Sequence, residues 1–235
     1  MINEWLFAIG VGLAPSLIWL LFYLREDKLH PEPIRLIAYT FILGALGTFL
    51  VLALQMITHS YLTRMGVGRY DALAIGTFAG IEEIVKFLII LIFVSRRPEF
   101  DEPVDAMIYM LTAALGFAAV ENIASFFRGA DALGSLVNTN SMQVLILRFL
   151  GATLVHSLSS ATIGYYWGRA LRRSHFVAGR ILIGLCFAVA IHGVFNYLVI
   201  FQGLGAWAMG FVILMGFFVL IDFERLKLWG QQPGR

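Results

Sequence analysis

Apolar residues run through this chain in long stretches, separated by short clusters of charge, proline and glycine. Crossing the hydrocarbon of a bilayer takes about 20 mainly apolar helical residues. Seven stretches are long enough, at 2–24, 36–60, 71–95, 104–127, 141–168, 180–201 and 205–222. The pattern predicts an all-α fold, a polytopic transmembrane helix bundle of about seven spans that fills residues 1–235 as one domain. The break "FQGLG" before the last span is tight, so a count of six to eight fits the same pattern. Pro15 should kink the first span, whose length and lack of a basic leader mark it as retained rather than cleaved.

Composition strengthens the membrane reading, since 60% of the 235 residues are hydrophobic and only 14% charged, far from a soluble globular domain. The net charge of +2 is too small to suggest nucleic acid as a partner; the lipid bilayer is the partner that composition implies. Cys186, the only cysteine, lies in the sixth span and cannot form an intrachain disulfide. The placement of basic residues says more than their sum, because cytoplasmic loops collect Lys and Arg. Leaving out Lys86 and Arg148 inside spans, twelve lie in loops one, three and five and the C-terminal tail. The opposite side has three, Arg64, Arg69 and Arg128. The N-terminus is therefore expected outside and the C-terminus inside.

Against this background the third span is odd, since "AGIEEIVKFLII" carries Glu82, Glu83 and Lys86. Each charge at a helix centre costs about 2.5–3.5 kcal/mol on insertion scales, so such residues face the bundle interior and mark function. Lys86 is i+4 from Glu82 and i+3 from Glu83, so either pair can neutralise itself. That leaves one carboxylate unaccounted for. The fourth span holds Glu121 and Asn122, with Phe117 one turn before Glu121. The fifth holds His156 followed by Ser159 and Ser160, and the sixth His192 and Asn196 at i, i+4 on one face. A lone membrane histidine is ordinarily a helix-to-helix hydrogen-bonding group, and the serines are expected to bond back to their own helix carbonyls. Four consecutive spans with acidic, imidazole or carboxamide groups are harder to treat as packing. Gly76 and Gly80 form a G-x-x-x-G pair that lets another helix approach the third span beside the glutamates.

In order and spacing these residues resemble the PrsW family of bacterial intramembrane proteases. The resemblance rests on "FYLREDKLHPEP" (Phe22 to Pro33), "EEIVK" (Glu82 to Lys86), Asp105 followed by "GFAAVENI", His156 before a run of small residues, and "HGVFN" (His192 to Asn196). The larger group to which that family belongs includes type II CAAX prenyl endopeptidases, whose second motif ends in histidine where this chain has Glu121. The resemblance implies a multi-pass protein of the bacterial plasma membrane that cleaves a single-pass membrane protein. It points to an anti-sigma factor as the substrate class, cut first on the extracytoplasmic side, and hence to a role in signalling.

Peptide hydrolysis needs an activated water, a stabiliser for the oxyanion and an acid for the leaving amine. Neighbouring carboxylates resist double ionisation, so one can act as base while another holds a proton. By resemblance, Glu82 activates water with help from Glu121 or His156, while Glu83 and Lys86 hold the geometry. His192 and Asn196 offer donors on one helix face for an oxyanion. The alternative is metal-assisted, with Zn2+ on His156, His192 and Glu121. No H-E-x-x-H pair is present, so the residues favour a metal-free, glutamate-type site without a cofactor. A proton-coupled transporter or channel uses the same buried groups, although the matching halves common in transporters are missing from the sequence. A scaffold with polar groups that only select helix partners would tolerate Glu→Gln changes, whereas a base would not. Depth adds one expectation. With the N-terminus outside, Glu82 lies about 16 Å in from Asp71 and Glu121 about 9 Å from Phe127, which places the site in the outer half of the bilayer or near its midplane, in a water-accessible cavity open outward.

Overall fold

The computed structural model describes residues 2–26, 31–133, 148–172, 176–202 and 206–230. Their regular structure is entirely helical: α1 (Ile2–Glu26), α2 (Ile34–Arg64), α3 (Ala72–Phe93), α4 (Asp105–Leu133), α5 (Thr153–Arg172), α6 (Val177–Gln202) and α7 (Ala206–Gly230). A π-helical turn, Arg148–Ala152, leads into α5. These seven helices fall on the seven apolar stretches. The start expected for the fifth, 141–147, lies outside the described residues, as does the side chain of Arg148. α6 and α7 are separate helices across the tight break, and α1 continues through Pro15.

Four helices are long and apolar enough to cross a membrane: Ile34–Arg64, Asp105–Ser125, Val177–Phe201 and Ala206–Leu228. α1 carries a shorter apolar stretch, Ile9–Arg25. The two remaining helices hold the polar groups, Glu82, Glu83 and Lys86 on α3 and His156 with three serines on α5. Such side chains cannot face lipid cheaply, so these helices turn them toward the bundle interior.

α4 is the central helix and packs against α1, α2, α3 and α5. Its run of small residues, Ala113, Ala114, Gly116, Ala118 and Ala119, gives it a thin body that neighbours can approach closely, and all five are buried. Gly44 on α2 and Gly116 on α4 show how close that approach is. A Cβ at Gly44 would overlap the Ala113 carbonyl, and one at Gly116 would overlap the Phe41 carbonyl, so only glycine fits at either place.

Polar contacts add to the apolar packing at the start of α4 and around the start of α5. At the start of α4, Asp105 Oδ2 accepts from the backbone N–H groups of Asp101 and Glu102 at 2.8 and 2.6 Å, closing the turn that enters the helix. Tyr109 donates its hydroxyl to the Glu32 carboxylate, which fastens the segment before α2 to α4. Farther along, Asn122 Nδ2 donates to Thr153 Oγ1 at 2.9 Å and joins α4 to the first turn of α5. Trp19 Nε1 donates to the Phe149 carbonyl at 3.1 Å, so α1 satisfies a carbonyl in the π-helical turn. Asp105 is sixteen residues before Glu121, about 24 Å along the helix, so the acidic start of α4 and the glutamate cluster are separate places.

Candidate active site

The interior charges come from α3, which lies between α2 and α6 and touches α4 and α5. At positions 82, 83 and 86 it presents two carboxylates and one ammonium, all buried. The sequence leaves the partner of Lys86 open; the structure selects Glu83. Lys86 Nζ lies 2.6 Å from Glu83 Oε1, with both side chains fully buried. Glu83 is then satisfied from every side, because Ser159 Oγ donates to Oε1 at 2.9 Å, Ser160 Oγ donates to Oε2 at 2.8 Å, and His192 Nδ1 bonds Oε1 at 2.8 Å. The expectation that the two serines bond back to their own helix therefore holds only for Ser159, which is also 3.1 Å from the His156 carbonyl. Both hydroxyls donate to a carboxylate that is fully buried and needs those partners.

Glu82 is held differently. Gln55 on α2 donates Nε2 to Glu82 Oε1 at 2.8 Å, while Glu82 Oε2 is buried with no hydrogen-bond partner among the described residues. That bare oxygen lies 3.5 Å from His192 Nε2 and 3.8 Å from His156 Nδ1. His192 Nδ1 donates to the Glu83 carboxylate, and a neutral ring in that tautomer would turn its Nε2 lone pair toward Glu82. Glu121 Oε2 lies 2.8 Å from His156 Nε2, which likewise leaves the lone pair of His156 on Nδ1, where Lys86 Nζ donates from 3.2 Å. The Phe117 ring flanks the site, 5.0 Å from Lys86 Nζ and 5.4 Å from the His156 ring.

Three acceptors thus converge: Glu82, His156 and His192 offer ligand atoms that lie within 4.8 Å of one another. The Lys86 ammonium meets the lone pair of His156, so the unreconciled acceptors are Glu82 Oε2 and His192 Nε2, 3.5 Å apart in a buried place, which a bound cation would satisfy. Two histidines and one carboxylate are a common catalytic zinc set, and each imidazole already gives its other nitrogen to a carboxylate, as zinc-binding histidines do. The residues fit a divalent metal. In this structure the carboxylate beside the two imidazoles is Glu82, while Glu121, the carboxylate expected in that set, lies 2.8 Å from the far nitrogen of His156.

The arrangement brings together Glu82, Glu83, Lys86, Phe117, Glu121, His156 and His192. Asn122 stands beside them as a tie between helices. Asn196 is half-buried one turn beyond His192 and makes no hydrogen bond among the described residues. His192 Nδ1 is taken by Glu83 at 2.8 Å, which leaves Nε2 as its other polar atom, 3.5 Å from Glu82 Oε2. The residues that sequence reasoning missed are Gln55, Ser159 and Ser160 in their roles toward the glutamates; a glutamine inside "LVLALQMITHS" was the available signal for the first. The centre is closed rather than open to a water-filled cavity. Glu82 is 7% exposed and His192 1%, and the Glu121 side chain, at 30%, is the part that reaches outward. An apolar groove of about 620 Å³ lies between α3 and α6, lined among others by Gly76, Ile84, Val189 and Gly193, and none of the polar side chains of the centre lines it. Gly76 and Gly80 meet α6 here, opposite Gly193 and Val189.

The described helices thus share a buried carboxylate and imidazole cluster, drawn from four consecutive helices of a membrane protein. The chain belongs to the family described as PrsW family intramembrane metalloprotease, which matches residues 32–221. It is 28% identical to Protease PrsW of Oceanobacillus iheyensis over 222 residues, covering 93% of this chain and 94% of the relative. It is likewise 28% identical to Protease PrsW of Geobacillus kaustophilus over 211 residues, 88% and 85% of the two chains. Against Protease PrsW of Bacillus subtilis the identity is 25% over 162 residues, 69% and 68%. No solved structure matches the chain. The protein is a peptidase by family and a multi-pass protein of the cell membrane.

Proposed function

We propose that this protein is an intramembrane endopeptidase that cleaves single-pass membrane proteins at a centre where Glu82, His156 and His192 hold a divalent metal. The observation that carries this reading is the bare, buried Oε2 of Glu82 facing two imidazole lone pairs. A zinc-class ion, when bound, supplies Lewis acidity toward the scissile carbonyl and a nucleophile at neutral pH. Glu83 holds His192 at Nδ1 and Glu121 holds His156 at Nε2, so both rings present the correct nitrogen. Lys86 donates to His156 Nδ1 in this structure; were His156 to hold the metal, that ammonium would be left to Glu83 alone. Glu121, at the outward edge of the centre, takes the proton of the attacking water on its carboxylate and passes it to the leaving amine. Asn196 supplies an amide donor for the oxyanion from the next turn of α6. This assignment departs from the metal-free chemistry that the sequence favours.

Seven spans with the N-terminus outside and the C-terminus in the cytoplasm follow from the basic-residue asymmetry. They place the cut near the outer boundary of the substrate's span. The narrower substrate class, anti-sigma factors, rests on the family resemblance alone. Proton-coupled transport is the weaker reading, since the family is one of peptidases. The test is cleavage of a single-pass substrate by purified Glu82→Gln and Glu83→Gln variants that accumulate in the membrane, with mass spectrometry of the wild-type fragments. Both variants should be inactive, the first through loss of an anionic ligand and the second through loss of the group that aligns His192. Full activity in both, or fragments cut on the cytoplasmic side, would refute the centre or the topology.

A further inference from the structure

We infer that Gln55 of α2 is a positioning residue that fixes which oxygen of Glu82 faces the two imidazoles. This rests on the proposed metal centre but adds a member from a helix that carries none of its ligands. Gln55 belongs to an inward stripe of α2, with Gly44, Gly47, Thr48 and Val51 buried one to three turns before it, at the i, i+3, i+4, i+7 spacing of one helix face. Its neighbours point the other way, Leu54 at 37% and Met56 at 75% exposed. The direction of that stripe is rigid, because α2 touches α4 backbone to backbone at Gly44 and Gly116. Gln55 lies eleven residues past Gly44, about 16 Å along the same helix, where its Nε2 reaches Glu82 Oε1 at 2.8 Å.

A carboxylate on a flexible side chain has two equivalent oxygens and rotates between them. The donor from α2 removes that freedom: Oε1 is occupied, and Oε2 is left bare toward His192 and His156. Without the amide donor, the Glu82 carboxylate would be free to swing away from the direction in which an oxygen faces the two imidazoles. Groups that orient a metal ligand by hydrogen bonding typically contribute about 10–100-fold in metal affinity or activity.

The experiment compares wild type with Gln55→Leu, which keeps size and apolar character in a membrane helix but has no donor. Leu54→Ala, on the exposed side of the same turn, is the control. Zinc affinity is measured by competition with a chelating dye, and kcat and KM on a single-pass substrate. Gln55→Leu should weaken zinc binding by about 10–100-fold and lower kcat with KM unchanged, while Leu54→Ala changes neither. Gln55→Met takes its place if Gln55→Leu does not accumulate. Wild-type zinc affinity together with wild-type kcat in either variant overturns the inference. If active wild type holds no stoichiometric zinc, the metal reading fails by itself. Gln55 is then judged by kcat alone: a tenfold fall at constant KM keeps it as the residue aligning Glu82, and an unchanged kcat removes it.

Discussion

Lys86→Met removes the ammonium from a pair in which both side chains are fully buried and 2.6 Å apart. Breaking a buried ion pair by deleting one partner typically costs about 3–5 kcal/mol, because the remaining charge stays in a medium that cannot solvate it. Glu83 keeps three other donors, from Ser159, Ser160 and His192, which places the expected loss near the lower end, about 3 kcal/mol. At roughly 2–4 °C per kcal/mol for a chain of this length, the melting temperature in detergent should fall by about 6–12 °C. The double variant Lys86→Met, Glu83→Gln removes both charges and leaves a carboxamide whose oxygen still accepts from a serine or from His192. It should recover at least half of that loss, as expected for two residues coupled in one network. Melting by tryptophan fluorescence of the purified variants measures both values. A single variant that melts with the wild type, or a double variant that loses the sum of the two singles, would refute the idea that Glu83 and Lys86 neutralise each other inside the bundle.

Asn122→Ala breaks one buried hydrogen bond, to Thr153, and should cost about 1–2 kcal/mol of stability while cleavage per folded molecule stays within threefold; a larger loss of rate at intact stability would move Asn122 into the chemistry. Gly116→Val forces side-chain atoms into the Phe41 carbonyl and should sharply reduce the amount of folded protein in the membrane, whereas Gly10→Ala, with nothing within 4 Å of the new Cβ, should not. Quantitative blotting of membrane fractions separates the two.

Much of the centre was legible because charge in a bilayer is expensive. Glu82, Glu83, Lys86 and Glu121 each stand out from apolar surroundings, and the two histidines fall on neighbouring helices in the same order as the spans. What the sequence left open was pairing. Lys86 reaches either glutamate by helix geometry alone, and only the hydroxyls of Ser159 and Ser160, brought by α5, make Glu83 the satisfied one. The choice between Glu121 and Glu82 beside the imidazoles was open for a related reason: which carboxylate meets which ring nitrogen depends on how the helices pack, and here Glu121 lies on Nε2 of His156 and Glu82 nearer Nδ1. Neutral polar residues were the least visible. Gln55 resembles an ordinary interruption of an apolar helix until α2 is docked on α4, and the glycine contact that docks it joins positions 44 and 116, which no local pattern connects.

The central claim is tested most directly by the metal content of a preparation that is cleaving its substrate. Elemental analysis of purified wild type, run beside the cleavage assay and repeated after chelation, should find about one divalent ion per chain, with both metal and activity lost to the chelator and restored together by added zinc. The His156→Ala, His192→Ala double variant should bind none. Full cleavage by wild type stripped of stoichiometric metal would contradict the account and return the chemistry to the carboxylates alone.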